Sequence, residues 1–220
     1  GKRIWRCMDC LLSPTTCAAE LVRDHARCPF HRVQKWNGLY FERSSLSAAG
    51  LVVHLGHHGE RCPRAPKGDD LKFMIGHTTG IHKVPLSPCS CLGCGDLIAQ
   101  LVRSKLMPAT THSPRTAFTF ALLDDLHMDT VQGKKPLFDY WTKIVRLTRN
   151  VDVNADKKTF ESLGLASRFY RAVTRKRQSG QAFDIDEVLL KLYPGLTYPG
   201  SMIPLCPCCP HPGFNMEKGW

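Results

Sequence analysis

LVVHLGHHGERCP at residues 51–63 and GIHKVPLSPCSC at residues 80–91 decide how this chain folds. They gather His57, His58, Cys62, His82, Cys89 and Cys91, each an imidazole or thiol able to hold a borderline-soft cation such as zinc. Cys89 and Cys91 are one residue apart. On an extended backbone alternate side chains share a face, so both sulfurs point the same way and can grip one ion. As a set these residues favour a metal site over a scatter of surface histidines. Leu51-Val52-Val53 reads as a short strand leading into them.

Upstream, WRCMDC supplies the CxxC pair Cys7 and Cys10, and HARCPFH supplies His25, Cys28 and His31. Two thiols on a tight knuckle with two histidines make a tetrahedral shell of Cys7, Cys10, His25 and His31. Cys17 is a further candidate ligand, and Cys28 can equally be a small apolar residue. Between the two metal-rich regions, Asn37-Gly38 predicts a tight turn, with Trp36, Tyr40 and Phe41 expected in the core. LKFMI (71–75) followed by IHKVPL (81–86) predicts a hairpin whose second strand delivers Cys89 and Cys91. Their remaining two ligands are either His57 and Cys62 or Cys206 and Cys209, and the second option, closure by the tail, is preferred. His82 stays a candidate donor.

After Cys91 the apolar period becomes helical. Asp96 caps a helix expected to run through Met107, Ser113-Pro114 starts a second through Phe118 to Leu126, and Pro136 opens a third. The most basic helix is SRFYRAVTRKRQSG (167–180), with Arg168, Arg171 and Arg175 on one face and Phe169, Ala172 and Val173 expected on the packing face. Arg177 extends this basic surface, and Lys143, Arg146 and Arg149 form a second stripe. The polar stretch 152–158 separates the two basic regions. The tail is rich in Pro, Gly and Cys, with Cys206 and Cys209 forming another CxxC.

The division expected is a zinc knuckle (1–36), a β-rich Cys/His cluster (37–94), a helical region (95–180) and a tail packing back on the cluster (181–220). The fold class is therefore α+β: a small zinc-stabilised β-rich part followed by a mainly helical region closed by the Cys-rich tail. Eleven cysteines, an odd number interleaved with histidines, argue for thiolates on two or more Zn2+ ions instead of disulfides. GKRIWRC lacks the apolar core of a signal peptide and no run approaches bilayer length, so a soluble intracellular protein without membrane contact is expected. A net charge of +11 points to a polyanionic partner, double-stranded DNA first. Asp124-Asp125 with Asp129, and Asp184, Asp186 and Glu187, lack the spacing of a two-metal nuclease and read as surface acids. Thiolates committed to zinc are not free nucleophiles, so the chain is expected to be non-catalytic.

WRCMDC, PFHRVQKWNG, LGHHGERCP, GIHKVPLSPCSC, MPATTHSPRTAFTF and CPCCPHPGFNMEKGW, in that order, resemble the CxC-type cysteine cluster (second class) of fungal Kyakuja-Dileera-Zisupton (KDZ) transposases. The resemblance runs almost from end to end. It implies a nuclear, zinc-binding and DNA-binding module that precedes an RNase H-like catalytic domain, which is expected beyond Trp220. It also implies a B-box-like zinc unit, for which the family's upstream CxxC and a cysteine at the position of Glu20 are missing here, leaving Cys17 without its partners. Because B-box-like units bind proteins, the alternative is an interaction module that joins transposase subunits or recruits a chromatin protein.

Overall fold

Three short segments, β1 (Trp5–Cys7), β2 (Val33–Trp36) and β3 (Phe41–Ser44), make an antiparallel sheet in the order β1-β2-β3. The Asn37-Gly38 turn joins the last two. Gly38 has φ +110°, and the Asn37 side-chain oxygen accepts from the backbone N–H of Leu39 and Tyr40 at 2.9 and 3.0 Å. Helix α1 (Ala18–Asp24) follows β1 and buries Leu21 beside Trp5, Cys7, Val33, Leu46 and Leu51. The aromatic residues expected in the core lie elsewhere: Trp36 is 39% and Tyr40 60% exposed. Val33 faces inward, so the two-residue strand period turns Trp36 to the other face. There it packs on Phe41 at 5.0 Å between centroids, with the Arg6 guanidinium 3.9 Å from the Phe41 ring centre.

The structure is a computed structural model that describes residues 1–66, 68, 70–148, 157–192, 210 and 216. Its second sheet contains β4 (Val53–His54), β5 (Leu71–His77), β6 (Gly80–Ser87), β7 (Leu106–Pro108) and β8 (Thr116–Thr119) in the order β4-β6-β5-β8-β7. The hairpin expected at 71–86 is β5–β6, in register from Leu71↔Leu86 to His77↔Gly80. β4 runs parallel to β6, and β8 parallel to β5. Leu55, Phe73, Ile75, Leu86, Leu101 and Ala117 form the core on this sheet. Val53 packs against both cores and so joins the two sheets.

Two expected helices are shorter than the sequence suggests. α2 (Leu97–Arg103) starts at Asp96, whose carboxylate accepts from Ala99 N–H at 2.8 Å, but it stops before Leu106. Leu106, Met107 and Pro108 are instead the buried edge strand β7, where a proline is tolerated. The segment after Pro114 is likewise strand first, as β8, and α3 (Phe120–Val131) begins only after Thr119, whose hydroxyl accepts from Leu122 N–H at 3.2 Å. Tertiary pairing of β8 with β5 on one side and β7 on the other overrides the local helical period here. α4 (Leu137–Thr148) follows Pro136 as expected and buries Tyr140, Trp141, Ile144 and Val145. α5 (Lys157–Gln178) and α6 (Ile185–Leu192) complete the described helices.

The fold is α+β, and the chain divides into two compact units, Gly1–Arg168 and Phe169–Trp220. Among the described side chains of α5 the buried positions are Thr159, Leu163, Ala166, Ser167 and Tyr170, a stripe at three- and four-residue spacing. Phe169 and Val173, expected on the packing face, fall off that stripe and are 43% and 51% exposed. Preferred closure by the tail rested on Cys206 and Cys209, which lie outside the described residues.

Gly76 in β5 is fixed by packing against Phe118. A Cβ there would sit 2.5 Å from Phe118 Cδ1, and Phe118 is only 1% exposed, so the ring has nowhere to go. Gly76→Ala is therefore expected to destabilise the first unit by about 1–3 kcal/mol, read as a lower denaturation midpoint, with Phe118→Leu in the same chain restoring part of the loss. An unchanged midpoint in Gly76→Ala would contradict this packing.

Candidate metal centres

The first centre is assembled from local spacing. β1 ends in Cys7, the chain turns tightly to Cys10, α1 ends at its C-cap His25, and His31 stands just before β2. One donor atom from each of Cys7, Cys10, His25 and His31 lies within 4.8 Å of the other three. Cys10 Sγ is 3.4 Å from His25 Nε2 and 3.3 Å from His31 Nδ1, and Cys7 Sγ is 3.5 Å from His31 Nδ1. Tetrahedral zinc, with bonds of about 2.3 Å to sulfur and about 2.05 Å to nitrogen, places S and N about 3.5 Å apart. The observed spacing is that of ligands around one such ion.

Surrounding groups hold these donors in place. His25 Nδ1 is 2.9 Å from the Leu21 carbonyl, which fixes the proton there and leaves Nε2 for a metal. Asp9, inside the CxxC turn, accepts from the Arg32 backbone N–H at 2.6 Å and from its guanidinium, tying the knuckle to the start of β2. Burial raises the Asp9 carboxyl pKa, but the Arg32 hydrogen bonds and charge outweigh it and leave the group below the ordinary carboxylate value. The Asp9 N–H also donates to Cys7 Sγ at 3.4 Å.

The second centre depends on the fold. Because β4 and β6 are parallel, with Val53↔Leu86 and His54↔Ser87, both strands end at the same edge of the sheet. The loops that follow, LGHHGERCP and PCSC, therefore emerge together. His57, Cys62, Cys89 and Cys91 each place one donor atom within 4.8 Å of the rest. His57 Nε2 is 3.4 Å from both Cys89 Sγ and Cys91 Sγ, while Cys62 Sγ is 3.8 Å from Cys89 Sγ and 3.7 Å from Cys91 Sγ. Sulfurs on one tetrahedral zinc are about 3.8 Å apart. Of the two pairings open for Cys89 and Cys91, the structure brings in His57 and Cys62.

The thiols show why a cation belongs there. Backbone hydrogen bonds from Ser90 and Arg64 pull the Cys62 thiol down to about 6 against the cost of burial. Hydrogen bonding to Cys62, burial and the neighbouring Cys89 push Cys91 up to about 11. Burial and the adjacent Cys7 likewise push Cys10 up to about 11 in the first centre. Each cluster thus resists carrying all its thiolates until a positive ion sits among them. With four protein donors around each point, the geometry suits a divalent structural ion, and the mixed S and N donors suit zinc.

Gln100 was not singled out by the sequence reading, yet it braces the second centre. Only 7% exposed, it accepts from Cys89 N–H at 2.8 Å through Oε1, and its Nε2 donates to the Cys89 and Gly95 carbonyls at 3.0 Å each. Cys94 Sγ joins this knot at 3.2 Å from the Cys89 carbonyl. The available signal was a polar residue on the apolar face of α2, beside Leu97 and Leu101.

Other candidate residues stand apart from both centres. Cys17 is the N-cap of α1, its sulfur accepting from Glu20 N–H at 3.5 Å while Glu20 Oε2 accepts from Cys17 N–H at 3.0 Å. That capping box explains Glu20 as well. His82 lies against Thr79 Oγ1 at 3.0 Å and the Phe30 ring at 5.7 Å, and burial drives its pKa down to about 4. Cys28 is exposed. Lys143 and Arg146 are both exposed, but Lys143 is paired with Asp125 at 3.0 Å and Asp129 at 3.6 Å, which offsets its charge. Arg168, Arg171, Arg175 and Arg177 are exposed on α5, and Arg149 lies outside the described residues.

These placements separate ligands from bystanders. Cys10→Ser and Cys91→Ser should each lower bound zinc by about one ion per chain, read by elemental analysis of the purified protein. Cys17→Ser and His82→Asn should leave the count unchanged. Equal loss from all four variants would contradict the two ligand sets.

Among the described residues no helix is long and apolar enough to cross a membrane. No curated protein and no solved structure matches the chain. Residues 46–152, which carry the second centre and the five-stranded sheet, match the family of CxC2-like cysteine clusters associated with KDZ transposases.

Proposed function

We propose that this chain is a zinc-stabilised, non-catalytic module of a KDZ-type transposase that works in the nucleus and binds double-stranded DNA through its phosphates. The transposase link rests on the match of residues 46–152. Four protein donors at each centre leave no open position for a substrate or an activated water, which supports ions that brace loops instead of performing hydrolysis. The residues that would hold zinc are Cys7, Cys10, His25 and His31, and His57, Cys62, Cys89 and Cys91.

One observation carries the DNA reading: the last turns of α5 present Arg171, Arg175, Lys176 and Arg177 to solvent on a chain of net charge +11. Arginine forks onto phosphate oxygens, and such contacts position a protein on a duplex without reading its sequence. Exposed Phe169 and Val173, four residues apart on the same helix, favour a second reading in which this surface meets a protein partner.

Salt dependence distinguishes the two. Replacing Arg175 and Arg177 by Ala should make the log–log slope of duplex affinity against salt shallower by about 1.8, since each phosphate neutralised contributes about 0.9. Fluorescence anisotropy gives the slope, while circular dichroism and zinc content check that the fold persists. An unaltered slope in the folded double variant would move the DNA surface elsewhere. No duplex binding by the parent at low salt would favour the protein-interaction reading.

A further inference from the structure

A cleft of about 820 Å³ opens in the first unit between the end of β3, the β5–β6 hairpin and the end of α4. Ligand pockets that bury most of a small molecule fall in this range of volume, and a duplex is far too wide for it. None of the described residues lining the cleft carries a carboxylate. Of its cations, Arg32 is neutralised by Asp9, but Arg43 and Lys83 are exposed at the mouth. Arg43 Nη1 donates to the Thr148 carbonyl at 3.2 Å, which steadies the guanidinium and leaves its other N–H groups to donate. Lys83 Nζ makes no ion pair or hydrogen bond among the described residues.

The other lining residues add different chemistry. Met74, Ile81 and Val145 supply thioether and branched aliphatic groups, suited to the flat face of a heterocycle, among hydroxyls from Ser45, Ser47, Thr79 and Thr148. Gln34 also lines the cleft, with its Oε1 tied by Arg6 Nε at 2.8 Å, so its two N–H atoms remain to donate to acceptors on a base edge. Ser44 adds a hydroxyl. Two exposed cations, a set of apolar side chains and a fixed amide together match a planar base attached to a phosphate.

We infer that this cleft receives an unpaired nucleotide of a DNA single strand, the base against Met74, Ile81 and Val145 and the flanking phosphates on Arg43 and Lys83. The inference deepens the DNA-binding reading and rests on it. It adds a second mode, in which unpaired DNA enters a pocket while duplex lies on the α5 arginines.

The test uses the zinc-loaded full chain with a short thymidine oligonucleotide, single-stranded or annealed to its complement. Arg43→Gln with Lys83→Gln should weaken single-strand binding by about tenfold and flatten its salt slope by about 1.4, changing duplex binding by less than about threefold. Replacing Arg175 and Arg177 by Ala should do the reverse. A 5-iodouracil strand, irradiated, should crosslink within the peptide that contains Met74 and Ile81. Crosslinks confined to α5, equal loss of both DNA forms in the cleft variant, or displacement of the strand by an acidic peptide at equal charge concentration would each overturn the cleft assignment. A parent chain that binds duplex but no single strand sinks this inference and leaves the DNA reading standing; one that binds neither sinks both.

Discussion

Three sulfurs and an imidazole nitrogen crowded within 4.8 Å of one another cannot all act as donors without a cation between them. The segments that carry the second centre have little regular structure of their own: β4 is two residues long, and the turn at His57–Gly59 holds His57 and His58 at φ +46° and +57°. Such backbone is unfavourable for non-glycine residues and persists where the surroundings over-determine it. A structural zinc contributes on the order of 10 kcal/mol of apparent free energy, comparable with the whole net stability of a domain. Zinc held by these four donors would be enough to set the loop conformation.

The two centres are parts of one arrangement in the first unit. Between His25 and His31 the chain carries Phe30, whose ring packs on His77 and His82 at 5.3 and 5.7 Å between centroids. Thr79 Oγ1 donates to the Phe30 carbonyl at 2.6 Å, docking the first centre's loop onto the tip of the β5–β6 hairpin. The other end of β6 leads into Cys89 and Cys91. One strand therefore runs from the first centre to the second, and the cleft opens along it. Burial keeps His82 neutral at ordinary pH, in keeping with a role in packing.

Features set by neighbours in sequence were legible, and those set by distant pairing were not. Cys7, Cys10, His25 and His31 could be grouped because one strand end, one turn and one short helix connect them. The β5–β6 hairpin was visible in its alternation, and the caps Asp96 and Thr119 are local chemistry, although only the first was read. For Cys89 and Cys91 the tail pair Cys206 and Cys209 was preferred over His57 and Cys62, because the parallel pairing of β4 with β6 that brings the latter in leaves no mark on either segment. Distant pairing likewise hid β7 and β8, whose residues fit a helical period until β8 is placed beside β5 and β7 beside β8. Cys17 and His82 carried the right atoms for metal but are occupied by a helix cap and by packing. Lys143 looked like a free cation until α3 brought Asp125 and Asp129 beside it.

X-ray absorption at the zinc edge addresses the ligand sets directly. In a chain whose Cys206, Cys208 and Cys209 are replaced by Ser, only the donors of the two centres contribute sulfur beyond stray thiols. Cys7, Cys10, Cys62, Cys89 and Cys91 against His25, His31 and His57 correspond to an average shell of 2.5 sulfurs and 1.5 nitrogens per ion. The expected result is that mixture, with sulfur at about 2.3 Å and imidazole nitrogen at about 2.0–2.1 Å. A shell dominated by oxygen, or a sulfur-only shell, would contradict the account of two four-ligand centres.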